Sequence, residues 1–317
     1  MKYNHLFGPV PSRRLGMSLG IDLVPKKICS LNCVYCEVGK TTKLTVDRKE
    51  YVSKDAVLKE LELFLSNKPK IDFITFSGSG EPTLNNKIGE ILDYIKTGYP
   101  EIKTAVLTNG TLFFDKKLRD ELHHADVILP SLDAASDKVF SKINRPHYTL
   151  DVEQCIQSLI ALRQEFKKQI WLEVFLLKGY NDHKEELDLL KNAITRINPN
   201  SVQLNTLDRP GVVENLLPLS DQELREVIKY WNLSNIEIIA PPLTRTTIGS
   251  YTDNIESAIL EIISRRPCTI NDLQSFLGIH INEINKYLSI LEARYKIKTI
   301  TLQRGVFYTK TEEIHKG

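Results

Sequence analysis

The chain has 317 residues, of which 42% are hydrophobic and 26% are charged, and this globular composition excludes a disordered or fibrous protein. Its 42 lysines and arginines nearly balance its 40 aspartates and glutamates, so overall charge gives no reason to expect a polyanionic partner. The N-terminal residues lack an apolar segment of signal-peptide length, and the most apolar run, residues 170–177, is too short to cross a bilayer. We therefore expect a cytoplasmic protein without contact to a membrane.

Apolar, β-branched segments alternate along the chain with segments of helical periodicity. The predicted strands are residues 17–23, 71–76, 103–107, 127–132, 170–177 and 201–204. The predicted helices are residues 53–65, 87–96, 116–122, 152–166, 183–197 and 221–231. Six successive βα units predict an α/β fold in which helices cover a parallel sheet. Because a complete eightfold barrel typically needs about 250 residues, we expect an open, partial (β/α)6 TIM barrel over residues 1–245.

The pattern changes after Pro241 and Pro242. Three helical segments (residues 255–264, 269–277 and 282–293) precede two short strands (298–302 and 306–309) that flank Gln303-Arg304-Gly305. This order of elements predicts a small winged-helix domain over residues 250–317. Its basic and acidic residues are nearly equal in number, so RNA binding and a peptide-holding or dimerising role both stay open. We expect it to handle the substrate or a partner rather than to take part in the chemistry.

Three of the five cysteines, Cys29, Cys33 and Cys36, are clustered. An odd, clustered set is unlike a secreted disulfide framework and favours metal binding in a reducing compartment. A structural zinc site needs four ligands, and no nearby cysteine or histidine supplies the fourth. Three thiolates can instead hold a [4Fe-4S] cluster whose fourth iron stays open for chemistry. Cys155 and Cys268 stand alone, and Cys155 is expected to be a small buried side chain.

The spacing Cys29-x-x-x-Cys33-x-x-Cys36, with Tyr35 before the last cysteine, resembles the signature of the radical S-adenosylmethionine (SAM) superfamily. Gly78-Ser79-Gly80-Glu81, after the second predicted strand, resembles that family's Gly-Gly-Glu motif with Ser79 interposed. The resemblance extends over most of the chain before the winged-helix domain. It implies that a [4Fe-4S] cluster cleaves SAM reductively and that the resulting radical takes hydrogen from a substrate. The electron would come from a donor of the flavodoxin or ferredoxin type.

Polar residues also follow three later strands. They are Thr108 and Asn109 after the third strand, Ser131 and Asp133 after the fourth, and Lys178 after the fifth. A single polar residue at a strand end is as often a cap, but their repetition falls where barrel enzymes place their active sites. In the resembled family such residues contact the ribose and the methionine carboxylate of SAM. The resemblance therefore implies that they bind the cofactor, together with Tyr35, Gly78, Ser79, Gly80 and Glu81.

Residues 6–16 and Ile143-Asn144-Arg145-Pro146-His147 resemble the branch of the superfamily that contains the wyosine-type tRNA-modifying enzymes. Arg13, Arg14 and Arg145 are candidate anchors for a substrate phosphate or carboxylate, because guanidinium groups bind both; ordinary salt-bridging arginines are the alternative. The wyosine enzymes carry further cysteines before the triplet, whereas residues 1–28 contain none. We therefore expect an enzyme of this branch with another substrate, RNA or a peptide.

Two other functional classes stay open. One is a peptide- or protein-modifying radical SAM enzyme or activase. The other is a non-catalytic, iron–sulfur-sensing DNA-binding regulator, which would explain the cysteines and the winged helix but not the six βα units. Incubation with SAM and dithionite distinguishes a radical SAM enzyme of either kind from the regulator, because only an enzyme releases 5′-deoxyadenosine.

Overall fold

The computed structural model describes residues 3–239 and 255–311. The first range confirms the α/β fold with a parallel sheet. Its strands are β1 (Leu6–Ser12), β2 (Gly16–Ile21), β3 (Ile28–Cys29), β4 (Lys43–Leu44), β5 (Phe73–Phe76), β6 (Lys103–Thr108), β7 (Val127–Pro130), β8 (Gln169–Leu176), β9 (Ser201–Thr206) and β10 (Ile236–Ile238). Its α-helices are α1 (Lys54–Leu65), α2 (Ile88–Gly98), α3 (Lys116–Glu121), α4 (Asp137–Ile143), α5 (Val152–Glu165), α6 (Lys184–Ile197) and α7 (Asp221–Trp231).

Eight strands form one open sheet in the order β1-β2-β5-β6-β7-β8-β9-β10. All neighbours from β2 to β10 are parallel, and β1 pairs with β2 in the antiparallel sense. The six predicted strands are all present in this sheet. Because the strands from β2 onward are parallel, their carboxyl ends meet on one side, which is where a barrel enzyme carries its site.

The strands are buried from both sides, as expected for a parallel sheet covered by helices. Every residue of β7 is buried, and Ile21, Phe76 and Leu204 are fully inaccessible. The amphipathic helices complete this core with one apolar face each. Within the two described ranges, no helix is both long enough and apolar enough to cross a membrane.

Three elements of the sheet and its helices were missed by the sequence-based prediction. Strand β1 contains Pro9 and Pro11, which disfavour a central strand but are tolerated at a sheet edge, where backbone N–H groups lack partners anyway. Helix α4 has seven residues, too few for a visible helical period, although Ser136 caps it through its side chain. Strand β10 has three residues, so its pattern is equally short.

The second range contains α8 (Ile255–Arg265), β11 (Cys268–Thr269), α9 (Ile270–Leu277), α10 (Ile281–Ala293), β12 (Ile297–Leu302) and β13 (Gly305–Lys310). Its strands form an antiparallel sheet in the order β11-β13-β12 over a separate apolar core. Leu302 pairs with Gly305, so the predicted three-residue turn is a two-residue turn. The elements match the winged-helix order, and that assignment stays a prediction. The change of pattern at Pro241 and Pro242 and the predicted domain boundary between residues 245 and 250 both lie outside the described residues.

A buried charge network joins this C-terminal unit to the barrel. Arg209 follows β9, and its side chain is 3% exposed. Its Nε donates to the carbonyl oxygen of Pro267 (3.0 Å), and its guanidinium pairs with Asp272 of α9 (3.4 Å) and with Glu37 (3.6 Å). Arg304, in the β12–β13 turn, pairs with Asp272 as well (2.7 Å). The C-terminal unit is therefore joined to the barrel by ion pairs around two buried side chains, Arg209 and Asp272.

Candidate metal and cofactor site

A cavity of about 320 Å³ lies at the carboxyl ends of β5, β6 and β7. The clustered cysteines Cys29, Cys33 and Cys36 all line it. The predicted site residues that also line it are Arg14, Tyr35, Gly78, Ser79, Gly80, Glu81, Thr108, Asn109, Ser131 and Asp133. Residues from segments more than 100 positions apart therefore meet around one space that is large enough for a small-molecule cofactor.

Three predicted residues are not among those that line the cavity. Lys178 is exposed and its Nζ donates to Glu223 of α7 (2.6 Å), so a cofactor would have to compete with Glu223 for this ammonium group. Arg13 is half-buried in the β1–β2 turn, where burial lowers the pKa of its guanidinium. Arg145 is exposed and directly follows Asn144, the C-cap of α4.

Each clustered cysteine accepts a hydrogen bond from a different polar side chain. Asn109 Nδ2 lies 3.5 Å from Cys29 Sγ, and Asn144 Nδ2 lies 3.5 Å from Cys33 Sγ. Lys27 Nζ lies 3.0 Å from Cys36 Sγ. Sequence reasoning did not assign Lys27 or Asn144 to the site. The available signals were the position of Lys27 two residues before Cys29 and the place of Asn144 beside Arg145.

The loop that carries the cysteines, residues 29–36, is held by the segment of residues 143–147. Val34 N donates to the Ile143 carbonyl, and Asn32 N donates to the Asn144 carbonyl, each at 2.9 Å. In the other direction, His147 N donates to the Ser30 carbonyl (2.9 Å). Backbone hydrogen bonds within the protein therefore hold this cluster loop against residues 143–147.

Glu81, predicted to bind the cofactor, has its carboxylate occupied by protein donors. Oε1 accepts from Thr83 N (3.1 Å), Thr83 Oγ1 (2.6 Å) and Thr108 Oγ1 (2.6 Å), and Oε2 accepts from Asn109 N (2.8 Å). Burial raises the pKa of this carboxyl, against the effect of these hydrogen bonds. Glu81 therefore links the loop after β5 to the end of β6 and thereby orients Asn109 toward Cys29.

Gly78 and Gly80 are required by close protein contacts. Gly78 has φ +139°, and a Cβ there would lie 2.5 Å from Oδ1 of Asp22. A Cβ on Gly80 would overlap the carbonyl oxygen of Ile28, the residue before Cys29. The resemblance implied that Gly80 binds the cofactor, and this stays a prediction. The structure shows that Gly80 lets the loop of residues 78–81 lie against the start of the cluster loop.

Asp133 connects the cluster loop to β8. Its Oδ2 accepts hydrogen bonds from the Tyr35 hydroxyl and from Asn144 Nδ2 (2.7 Å), and its Oδ1 accepts from Phe175 N (3.0 Å). Burial raises the pKa of Asp133 to about 6. The Tyr35 ring stacks on Phe175 with centroids 3.9 Å apart. Tyr35 and Asp133 therefore both fix the cluster loop as well as lining the cavity.

Arg14 reaches into the cavity and is already paired. Its Nη1 forms an ion pair with Glu173 of β8 and a hydrogen bond with Gln203 Oε1 of β9 (3.3 Å). An arginine in the β1–β2 turn thus connects one side of the open sheet to the other. Any substrate carboxylate or phosphate would have to compete with Glu173 for this guanidinium.

The cavity residues fit a [4Fe-4S] cluster with a polar cofactor beside it. Burial, followed by the charge of Glu81, raises the pKa of Cys29 to about 12, and burial raises that of Cys33 as well, so iron must displace protons to bind. The described residues include no group of three or more His, Cys, Asp or Glu that could hold a single metal ion, whereas thiolates around a cluster bind separate irons. Asn144 Oδ1 is buried without a partner in the described structure, which leaves one acceptor for a ligand.

Comparison with protein families shows to which family the chain belongs. A model described as the radical SAM superfamily matches residues 23–190, a range that includes the cysteine triplet and residues 78–81. The chain belongs to the radical SAM superfamily. Radical SAM proteins use a [4Fe-4S] cluster and SAM, which confirms the predicted cofactors.

Three known proteins are similar to this radical SAM chain over most of its length. A UPF0026 protein of Methanocaldococcus jannaschii is 30% identical over 96% of this chain and 95% of its own length. A Brachyspira hyodysenteriae protein named GTPase Obg is 38% identical over 92% of this chain, which spans only 42% of that relative. A radical SAM methyltransferase of Sphaerobacter thermophilus superposes with a TM-score of 0.53 at 16% identity, over 70% of this chain and 65% of its own. At that identity the likeness shows the fold.

Proposed function

We propose that this radical SAM protein is an enzyme that binds a [4Fe-4S] cluster through Cys29, Cys33 and Cys36, cleaves SAM reductively and abstracts hydrogen from a substrate. The observation that carries the proposal is the convergence of three sulfurs, each with its own side-chain donor, on one cavity at the strand ends. When bound, the cluster supplies the electron that splits SAM. That electron comes from an external donor, for which we propose the flavodoxin or ferredoxin type.

The chain's own residues would bind and orient the cluster and SAM, and would enclose the reactive species. Asn109 and Asn144 donate to the sulfurs of Cys29 and Cys33 and so define where each ligand points. The loop of residues 78–81 and Ser131 line the part of the cavity left for SAM, and the unpaired Asn144 Oδ1 offers it an acceptor. Apolar walls that include Leu107, Leu129 and Phe140 keep water from a reactive species.

The test is an anaerobic incubation of the reconstituted chain with SAM and dithionite. We expect 5′-deoxyadenosine and methionine from the natural chain and none from Cys33→Ala, which has lost a cluster ligand. Cys155→Ala is the matched control, because Cys155 is buried in α5 and lines the cavity outside the triplet. A natural chain that holds its cluster and releases no 5′-deoxyadenosine would contradict the proposal and favour a regulator.

For the substrate we propose RNA. Arg145 lies in the segment of residues 143–147 that holds the cluster loop, and Tyr148, which is 90% exposed, directly follows it. The Tyr148 ring packs on His147 with centroids 4.4 Å apart. An exposed arginine close in sequence to an exposed tyrosine ring suits a phosphate and an unstacked base. Affinity for a tRNA mixture should fall steeply with added salt, and Arg145→Ala should flatten that slope. Arg225→Ala on α7 is the control. An affinity that does not change with added salt would favour a peptide and overturn the RNA proposal.

A further inference from the structure

Lys27 is a buried lysine at the cluster loop. Its side chain lines the cavity, the residue is 4% exposed, and its Nζ lies 3.0 Å from Cys36 Sγ. Burying an ammonium group is costly unless a negative partner accompanies it. The sulfur of Cys36 is the side-chain partner that the structure gives it, and a cysteine sulfur carries negative charge only as a thiolate, the form that binds iron.

The backbone holds Lys27 where it is. Its φ of 61° is in the left-handed region, which residues with a side chain seldom adopt. Lys27 N donates to the Ser79 carbonyl (2.7 Å), and the Lys27 carbonyl accepts from Thr42 N (2.9 Å). The loop of residues 78–81 on one side and Thr42 on the other therefore fix the direction in which the ammonium points.

The three cysteine sulfurs accept hydrogen bonds from different kinds of donor. Cys29 and Cys33 receive neutral amide donors at 3.5 Å, whereas Cys36 receives a cation at 3.0 Å. Hydrogen bonds to charged groups are shorter and stronger than neutral ones, and hydrogen bonds and net charge around a cluster set its reduction potential. Among the described residues, Lys27 is thus the only charged side chain that donates a hydrogen bond to one of these three sulfurs.

We infer that Lys27 is a positioning residue that raises the reduction potential of the cluster through its contact with Cys36. The inference rests on the proposed function, because it presumes the cluster. One electron passes from the external donor to the cluster, no bond at Lys27 forms or breaks, and no proton moves. The electron adds negative charge next to the ammonium, so the ammonium stabilises the reduced form more than the oxidised form.

The test is a redox titration of the reconstituted full chain without SAM, followed by the electron paramagnetic resonance of the reduced cluster. At a fixed solution potential, Lys27→Met should lower the ratio of reduced to oxidised cluster at least about tenfold, which is about 59 mV for one electron. Lys27→Arg keeps the charge and should stay within about threefold of the natural ratio. Lys26→Met removes a neighbouring exposed lysine and should leave the ratio unchanged, because solvent screens that charge.

An unchanged or more positive potential in Lys27→Met would overturn the inference. Should Lys27→Met lose its iron, Lys27→Gln carries the same titration, since it keeps a donor without the charge, and an unchanged potential there is equally decisive. The outcomes separate this inference from the proposed function. A chain that cleaves SAM while Lys27→Met keeps the natural potential contradicts only the role of Lys27, whereas a natural chain without a cluster contradicts both.

Discussion

Arg265 of α8 places its Nη1 3.4 Å from Oδ2 of Asp22. The same carboxylate accepts hydrogen bonds from Ser79 N (3.1 Å) and Ser79 Oγ (2.7 Å). The guanidinium also lies over the ring of Phe7, 4.6 Å from its centroid. One ion pair therefore connects the C-terminal unit to the loop that we assign to SAM. The expectation that this unit handles the substrate or a partner and takes no part in the chemistry stays a prediction.

Replacing Arg265 by Ala should weaken SAM binding about two- to fivefold, in keeping with the 0.2–1 kcal/mol or so of a partly exposed ion pair. The reason is that Asp22 loses the partner that helps to hold it under Ser79. Equilibrium binding of SAM to the reconstituted chain measures the effect. Arg266→Ala is the control, because Arg266 lies over Phe276 within the C-terminal unit. Equal affinities in the two variants would show that Arg265 does not act through Asp22.

Replacing Arg209 by Ala should reduce the free energy of unfolding by about 3–5 kcal/mol, the usual cost of removing one partner from a buried ion pair. The buried Asp272 would keep only Arg304 as a partner beside it, and the partly exposed Glu37 would lose this counter-charge. Urea unfolding of the apoprotein measures this loss. The exposed pair of Arg225 with Asp221 provides the comparison, and Arg225→Ala should cost no more than about 1 kcal/mol. A similar small loss for Arg209→Ala would mean that the two units are joined only loosely.

Replacing Gly80 by Ala should remove the cluster and not merely weaken SAM binding. The new methyl group would overlap the Ile28 carbonyl and displace the backbone that leads to Cys29. Iron content and the visible absorption of the reconstituted protein report the loss. Gly98→Ala is the control, since nothing lies within 4 Å of a Cβ at that exposed helix end. Full iron in Gly80→Ala, with reduced SAM affinity alone, would return Gly80 to the role of a ligand contact.

Asp133 should make the apoprotein less stable as the pH rises from about 4 to about 6. Burial raises its pKa from the ordinary value of 3.8 to about 6, so in this window the unfolded chain releases a proton that the folded chain keeps. Above pH 6 the penalty is constant, and below pH 4 it is absent. Asp133→Asn should remove about 1–3 kcal/mol of this pH dependence, measured by urea unfolding at pH 4 and pH 6.5. Parallel curves for both chains would contradict it.

The parallel sheet, and the cysteine triplet as a candidate cluster site, could be predicted from the sequence because both depend on short-range patterns. The period of the strands repeats within a few residues, and the three cysteines lie within one loop. The partners of Glu81 and the contact of Asn144 with Cys33 could not be predicted in this way. Asn144 stands 111 positions after Cys33, and its place beside Arg145 does not show that its side chain will contact a sulfur.

The charges between the two units show the same limit. Arg209 looks like an ordinary loop arginine until the fold places Asp272, 63 positions later, against it. Lys178 shows the converse case, since its position after β8 suggested a cofactor contact, whereas a side chain of α7 takes its ammonium. Local sequence identifies which residues are chemically able to act, and only the tertiary contacts decide whether they are available.

The backbone hydrogen bonds between residues 30–34 and 143–147 have a consequence for the life of the protein in the cell. A zinc finger acquires its shape from its metal, whereas this ligand loop is also held against residues 143–147 by hydrogen bonds that involve no metal. We expect these bonds to limit the movement of the loop when no cluster is bound, so that iron and sulfide can be delivered to a chain that has already folded. Repair after oxygen damage would then need a new cluster and not a newly synthesised chain.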